Sequence, residues 1–589
     1  MKQQRFAERF WTKDPTLWKQ DEAVGRAIRN RLGWLDVVET MQSDCPALLA
    51  FAADARQAGF TDALLLGMGG SSLCAEVLRR SFPVAPGFLR LHVLDSTDPD
   101  AVRRAEAKLP LETTLFLVST KSGTTTETLC FFRYFYEQVS KRKGDRAGEN
   151  FLAITDPGGP LVSLAAEKKF RRTYLNPPDV GGRFSVLSYF GLVPAVLMGV
   201  DIRQLLARAA RFLPQNGAAS ATEENPAIQL GAILGELALQ GRDKVTFFLS
   251  PPIASFGCWV EQLVAESTGK EGKGLLPIEG EPLGRPDSYG PDRVFAHLQL
   301  NSAADTQLVR LGKALEKAGH PVLRIGLQDR LDLGTEFFRW EIATAVAGSI
   351  LEVNPFDEPN VKESKDNTER LLRKLESQGK LDESSPLCRE SGIALYGDAG
   401  MIAAPRAAPK ASPKRTTASA KPAGQVQELL RAHFGQAAHF AQAAHFGQAK
   451  KGGYVAFLAY LTPSPAREKW FQQIRTRLRA ALGTATTVGY GPRYLHSTGQ
   501  FHKGGPPTGV FVEITARKKE DRAIPGCPYT FGTLQRAQAL GDLEALRSKN
   551  RSILRLDLEG SPEAGLRRLA EWIEAAFRRR PAAAKKMKA

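Results

Sequence analysis

Short, wholly apolar runs alternate with helical patterns along most of this chain, and that alternation leaves few folds open. "DALLLGMGGSSLCAEVLRR" (Asp62–Arg80) reads as a strand, a glycine turn and a helix. "LRLHVLDS", "TLFLVST" and "FLAITD" follow as buried strands, and then a long helical stretch, "FSVLSYFGLVPAVLMGVDIRQLLARAARFL". A second set repeats the scheme with "KVTFFLSP", "RVFAHLQL" and "PVLRIGLQ". A strand with no polar alternation has both faces covered, so the pattern predicts α/β domains built on doubly wound parallel sheets.

The 589 residues, 43% hydrophobic and 24% charged, suit a globular chain of roughly three domains at ~150 residues each. The expected division is a helical extension over 1–55, α/β units over 56–215 and 226–385, a basic low-complexity linker over 400–424, a C-terminal α/β block over 425–577 and a basic tail over 578–589. No apolar run approaches the ~18–20 residues that span a bilayer, and the N-terminus carries no signal-peptide core. Six scattered cysteines, never as CxxC, read as reduced thiols, which points to the cytoplasm. The net charge of +17 raises nucleic acid as a partner. Much of it sits in the linker and tail, which read as solvated segments, so a basic surface attracting anionic substrates is the better reading. Neither nucleic acid nor membrane is an expected partner.

The C-terminal block opens with a six-residue repeat, "AHFGQAAHFAQAAHFGQA". Six residues turn a helix by ~600°, so His433, His439 and His445 rotate off any shared face and no metal is expected.

Two loops carry the chemistry. "GMGGSS" (Gly67–Ser72) ends a strand and opens a helix, where glycines let a ligand approach free N–H groups. "STKSGTTTET" (Ser119–Thr128) does the same with a cluster of hydroxyls and a lysine. One hydroxyl suffices to cap a helix; the surplus beside a cation makes a cradle for a phosphate monoester. The absence of GxxxxGK[ST] argues against nucleoside triphosphates.

GxGGS, followed about fifty residues later by S/T-K-S/T-x-T-T-x-E-T, resembles the sugar isomerase (SIS) domains, and specifically the phosphoglucose isomerase family. "DVGGRFSVLS" (Asp179–Ser188), "VEQLVAESTGK" (Val260–Lys270) and "GSILEVNPFDEPNVKESK" (Gly348–Lys365) resemble three further signatures of that family, in the right order. The resemblance implies two SIS domains and an interconversion of glucose 6-phosphate and fructose 6-phosphate that needs no cofactor. It implies Glu266 as the base, Arg183 facing an enediolate and Lys365 closing the site. Gly70 and Ser71 would line the sugar, Thr120, Lys121, Ser122 and Thr125 would hold the phosphate, Glu127 would lie near them, and Gln262 would stand one helical turn from the base. The family's dimer with shared active sites is also implied, although the extra block offers another way to fill that interface. A chain of this type with broader specificity would also accept mannose 6-phosphate; one that had lost the chemistry would be a sugar-phosphate sensor.

The family pattern is broken in places. Its ring-opening histidine falls on Arg293 in "YGPDRVFAH" (Tyr289–His297), which is assigned to substrate binding, since arginine is not a base at neutral pH. Thr268 replaces an asparagine, and Glu358 and Lys362 occupy glutamine and glutamate positions, so Glu358 is not expected on the phosphate. The C-terminal block reads as a degenerate copy of the second unit, aligned on "STG", with His496 in place of the glutamate. His496 and His502 are expected on a surface turn; the alternative is that one of them opens the sugar ring. An isomerase with such a block resembles the isomerase half of fused transaldolase–phosphoglucose isomerase proteins. About fifty-five residues before the first SIS strand are too few for a barrel of at least ~200, so transaldolase activity is not expected.

Overall fold

The computed structural model describes residues 5–578 except 216, 382, 398–424, 441–451 and 519. The expected linker and, beyond Arg578, the tail therefore lie outside the described residues, as does His445.

The chain forms three α/β layers. The first sheet contains β1 (Asp62–Gly67), β2 (Arg90–Leu94), β3 (Thr114–Ser119), β4 (Phe151–Thr155) and β5 (Arg172–Leu175), all parallel in the order β2-β1-β3-β4-β5. The second contains β6 (Lys244–Leu249), β7 (Leu276–Ile278), β8 (Arg293–Leu300) and β9 (Val322–Leu327), parallel in the order β7-β6-β8-β9. In both, the strand order reverses beside the first strand, and the crevice at the carboxyl ends of two neighbouring strands is where such sheets take ligands. β1 and β3 are buried at every position, which is why their sequences show no alternation. The helical stretch over 184–213 is broken: Tyr189–Leu197 and Ile202–Ala209 are separate helices, divided at Gly199, whose φ of 77° leaves the right-handed helical region.

The third sheet is mixed. β10 (Cys388–Glu390) and β11 (Ile393–Tyr396) form an antiparallel hairpin, and β11 pairs antiparallel with β15 (Ser552–Leu558). β12 (Tyr454–Ala459), β13 (Ala485–Tyr490) and β14 (Gly509–Ala516) complete it in the order β10-β11-β15-β14-β12-β13. Two strands thus join this sheet from before the expected linker. Its parallel part, β13-β12-β14-β15, has the strand order of β7-β6-β8-β9. The "STG" alignment does not follow that order. Ser267, Thr268 and Gly269 end a helix that precedes β7, whereas Ser497, Thr498 and Gly499 come after β13. His496 is therefore not the counterpart of Glu266.

Four helices position the site: α1 (Gly70–Ser81) after β1, α2 (Thr126–Lys143) after β3, α3 (Phe256–Thr268) after β6, and α4 (Pro359–Gln378). In the C-terminal domain, α5 (Phe531–Ser548) lies along α4, and the ring of Phe531 stacks on Phe131 of α2 at 5.9 Å. One apolar core runs through Leu64, Phe116, Phe131, Tyr454, Phe501 and Phe531, so the first and third sheets share it. Burial of each such aromatic ring is worth about 1.5–3 kcal/mol, enough to dock the third layer firmly on the first.

Among the described residues no helix is long and apolar enough to cross a membrane, and no group of three or more His, Cys, Asp or Glu stands together as metal ligands. In the repeat, His433 is buried against the Phe511 carbonyl at 2.9 Å and burial pushes its pKa down to about 4. His439 instead bonds the Gly435 carbonyl of its own helix.

Candidate active site

The glycines after β1 are fixed by what crowds them. Gly69 has φ 54°, and a Cβ there would stand 2.9 Å from the His496 Cβ and 3.0 Å from the Gln262 Nε2. A Cβ on Gly70 would stand 2.0 Å from the Gly182 carbonyl oxygen. The turn therefore brings the start of α1 against the loop that carries Arg183.

The loop after β3 is a hydroxyl cradle. The Thr120 and Thr125 hydroxyls are 2.7 Å apart, and those of Ser122 and Thr124 are 2.8 Å apart. Thr125 occupies the N-cap of α2 but makes no side-chain cap bond. The N–H groups opening this 18-residue helix are thus not closed off by its cap residue, and the positive end of the helix dipole faces the cradle. Lys121 pairs with Asp156 and donates to the Pro178 carbonyl at 2.9 Å. Burial raises the Asp156 carboxyl, against the pull of Lys121.

Across the crevice, one guanidinium serves two carboxylates. Arg183 Nη1 lies 3.2 Å from Glu266 Oε1 and 3.1 Å from Glu358 Oε2. Its Nε donates to Ser267 Oγ at 2.8 Å, and its Nη2 to the carbonyls of Pro355 at 2.7 Å and Asp357 at 2.8 Å. Arg183 is 4% and Glu266 6% exposed. Burial raises the Glu266 carboxyl above its ordinary value, with Arg183 opposing and Glu358 adding to the rise. Glu358 is also raised by burial, but Arg183 and Arg31 outweigh that and bring it below the ordinary value. Glu266 is thus the more basic of the two. Its other oxygen accepts from Gln262 Nε2 at 2.9 Å, one turn back on α3.

These groups line one cavity of about 350 Å³. Of the sequence candidates, Gly70, Ser71, Lys121, Ser122, Thr125, Arg183, Gln262, Glu266 and Lys365 line it. Glu127 lines an adjoining hollow of about 180 Å³, which shares Thr125, Lys365 and His496 with the first. Thr120 stands behind the cradle, bonded to Thr125. Arg293 is misplaced by the sequence reading. It is fully buried and paired with Glu281 at 3.0 Å, and it bonds Thr246 Oγ1 at 2.7 Å. Its position at the start of β8, the amino end of a parallel strand, puts it in a structural ion cluster and not in the cavity wall. Thr268 is likewise no part of the lining; its hydroxyl bonds the Val264 carbonyl at 2.8 Å and accepts from the Leu275 N–H at 2.9 Å.

Sequence reading missed Arg31 and Asp156 in the cavity wall, set Glu358 aside, and underrated His496, which reaches it from the C-terminal domain. Neither predicted histidine lies on a surface turn. His502 is buried, its Nδ1 3.0 Å from the Tyr454 hydroxyl, and burial pushes its pKa down to about 3.

Two parallel sheets of reversed strand order, meeting over a hydroxyl cradle and a carboxylate–guanidinium pair, define a protein of the sugar isomerase fold. The phosphoglucose isomerase family profile matches residues 50–274. A glucose-6-phosphate isomerase of Rubrobacter xylanophilus is 31% identical over 393 residues, covering 58% of this chain and 89% of the relative. One from Enterococcus faecalis is 28% identical over 418 residues, covering 60% and 91%. A hypothetical protein of Thermus thermophilus superposes with a TM-score of 0.52 at 25% identity, over 62% of this chain and 93% of that one. The chain belongs to the phosphoglucose isomerase family.

Proposed function

We propose that this chain interconverts glucose 6-phosphate and fructose 6-phosphate by proton transfer through a cis-enediolate, with Glu266 as the base. The observation that carries the reading is the Glu266–Arg183 pair facing the hydroxyl cradle across one cavity. The relatives that bear the name glucose-6-phosphate isomerase agree with it.

Each group has a task in that reaction. The phosphate enters the cradle of Ser122 and Thr125 at the start of α2, where hydroxyls and N–H groups donate to it and Lys121 turns from Asp156 towards it. Held there, the sugar presents C1 and C2 to Glu266, far from the charge that anchors it, so phosphate binding supplies orientation. Glu266 takes the proton from C2 of the aldose and returns it to C1. Arg183, fixed by Ser267, Glu358 and the carbonyls of Pro355 and Asp357, holds its positive charge beside Glu266, where the oxyanion builds up, and a charge already in place needs no rearrangement at that moment. Lys365, on the second turn of α4, supplies a further cation at the cavity mouth.

A base must be ionised to act. Because burial lifts Glu266, the acid limb of the kcat/KM profile is expected above the ordinary glutamate value of 4.5, with activity rising as pH climbs through it. A limb at or below 4.5 assigns the base elsewhere. Ser122→Ala with Thr125→Ala is expected to raise KM for the sugar phosphate, since charge-assisted hydrogen bonds worth ~1.5–3 kcal/mol each are lost. Unchanged binding of inorganic phosphate and substrate to that double variant moves the phosphate site. The function itself is tested by purified protein with fructose 6-phosphate, coupled to a glucose-6-phosphate dehydrogenase. NADPH formation is expected; its absence with an active coupling enzyme leaves the sugar-phosphate sensor as the reading.

A further inference from the structure

Hexose phosphates rest in water as closed hemiacetals, and a proton leaves C2 only after the ring has opened. Opening needs a group that takes the proton from the anomeric hydroxyl while the ring oxygen gains one. Around the cavity, Glu266 is already assigned the carbon-bound proton, Glu358 is paired with Arg183, and Lys121 with Asp156. One imidazole remains in its wall, that of His496.

His496 belongs to the C-terminal domain, in the short turn Arg493–His496 after β13. It is held from several sides by the rest of the molecule. Its Nε2 lies 3.2 Å from Glu127 Oε1 on α2. Its carbonyl accepts from Gln262 Nε2 at 2.7 Å, the same amide nitrogen that bonds Glu266. Its Cβ abuts Gly69, which tolerates no side chain there. Glu127 in turn accepts from Gln538 Nε2 of α5 at 2.7 Å, and the Thr97 hydroxyl bonds Gln538 Oε1 at 2.7 Å. Burial acts to raise the Glu127 carboxyl, but the hydrogen bond and charge of His496, with Lys365, bring it below its ordinary value. An ionised carboxylate on Nε2–H fixes the tautomer, so that Nδ1, which has no hydrogen-bond partner among the described residues, is the free acceptor.

We infer that the C-terminal domain is a catalytic part of this enzyme, delivering His496 into the active site of its own chain as the acid–base group that opens the sugar ring. Nδ1 takes the proton of the anomeric hydroxyl; the C–O bond of the ring breaks with its electron pair passing to the ring oxygen; the imidazolium returns a proton to that oxygen; a carbonyl remains at the anomeric carbon. No atom or charge is left over. Glu127 and Gln538 are positioning residues for this step. The proposal rests on the isomerase reading above and extends it to a residue from outside the two sugar isomerase layers.

The experiment uses the full chain and two substrates. Fructose 6-phosphate must be opened; 5-deoxyfructose 6-phosphate lacks the hydroxyl that closes the ring and is always open. His496→Ala is expected to lower kcat/KM on fructose 6-phosphate by about 100-fold or more, the lower range for loss of an acid–base group. Exchange of the C1 proton of the 5-deoxy sugar with solvent is expected to stay within about 3-fold, since Glu266 and its alignment are untouched. His496→Gln, which keeps a polar group on Glu127 but no base at Nδ1, is expected to behave alike and decides the matter if the alanine variant folds poorly. Equal loss on both substrates makes His496 a support for the site and overturns the proposal, as does full activity on fructose 6-phosphate. A wild-type protein that exchanges the C1 proton of neither sugar overturns the isomerase reading itself, and this step with it.

Discussion

Glu266→Gln is expected to turn over fructose 6-phosphate about two to four orders of magnitude more slowly, the range for removal of a general base, with little change in KM. The substitution keeps the shape of the side chain and its acceptor for Gln262, so it removes the base and leaves the cradle around Ser122 and Thr125 intact. The contrast between kcat and KM is the informative part. A loss confined to KM would place Glu266 among the groups that bind substrate and transition state alike. Near-full activity would remove it from the mechanism.

Arg183→Met is expected to cost stability as well as activity. The guanidinium is almost wholly buried and satisfies Glu266, Glu358, Ser267 and two carbonyls. Breaking a buried pair by removing one partner typically costs ~3–5 kcal/mol, because the remaining charge is left uncompensated. The sign of the pH dependence follows from Glu266. Its carboxyl is already raised by burial, and loss of Arg183 raises it further. A group raised in the folded state favours folding at low pH and loses that benefit as pH rises through its folded pKa. The unfolding midpoint in urea should therefore fall more at about pH 8 than at about pH 5. A drop that is the same at both pH values would mean that Glu266 finds another counter-charge.

The sequence announced the two parallel sheets and most of the cavity wall because both are local. β1 and β3 are apolar along almost their whole length, and the cradle is a continuous segment joining a strand to a helix. Lys365, Glu266 and Arg183 lie far apart in the chain, and motif resemblance was needed to gather them. What escaped depends on long-range packing. Arg293 and His496 were both read from their neighbours in sequence. Arg293 is drawn into a buried cluster with Glu281 that Arg475 and Arg479 of the C-terminal domain help to neutralise. His496 is carried to the cavity by the packing of the C-terminal domain on the first sheet. The anchors of that packing, Phe131 on Phe531 and Gln538 on Glu127, carry no local signature. The "STG" match misled for a related reason: three small residues end a helix in one place and follow a strand in another, and only strand order separates the two. The three-residue β7 and the Thr-rich β13 were missed because neither shows a long apolar run.

The central claim, proton transfer through an enediolate in this cavity, is tested most directly by conversion of fructose 6-phosphate to glucose 6-phosphate in D2O, with deuterium at C2 of the product read by NMR. Exchange of the Glu266 proton with solvent during the life of the enediolate predicts fractional deuterium at C2, at a rate that collapses in Glu266→Gln. Glucose 6-phosphate formed with no deuterium at C2 would mean that no solvent-exchanged proton reaches that carbon, and it would contradict the account if Glu266→Gln also formed it at the wild-type rate.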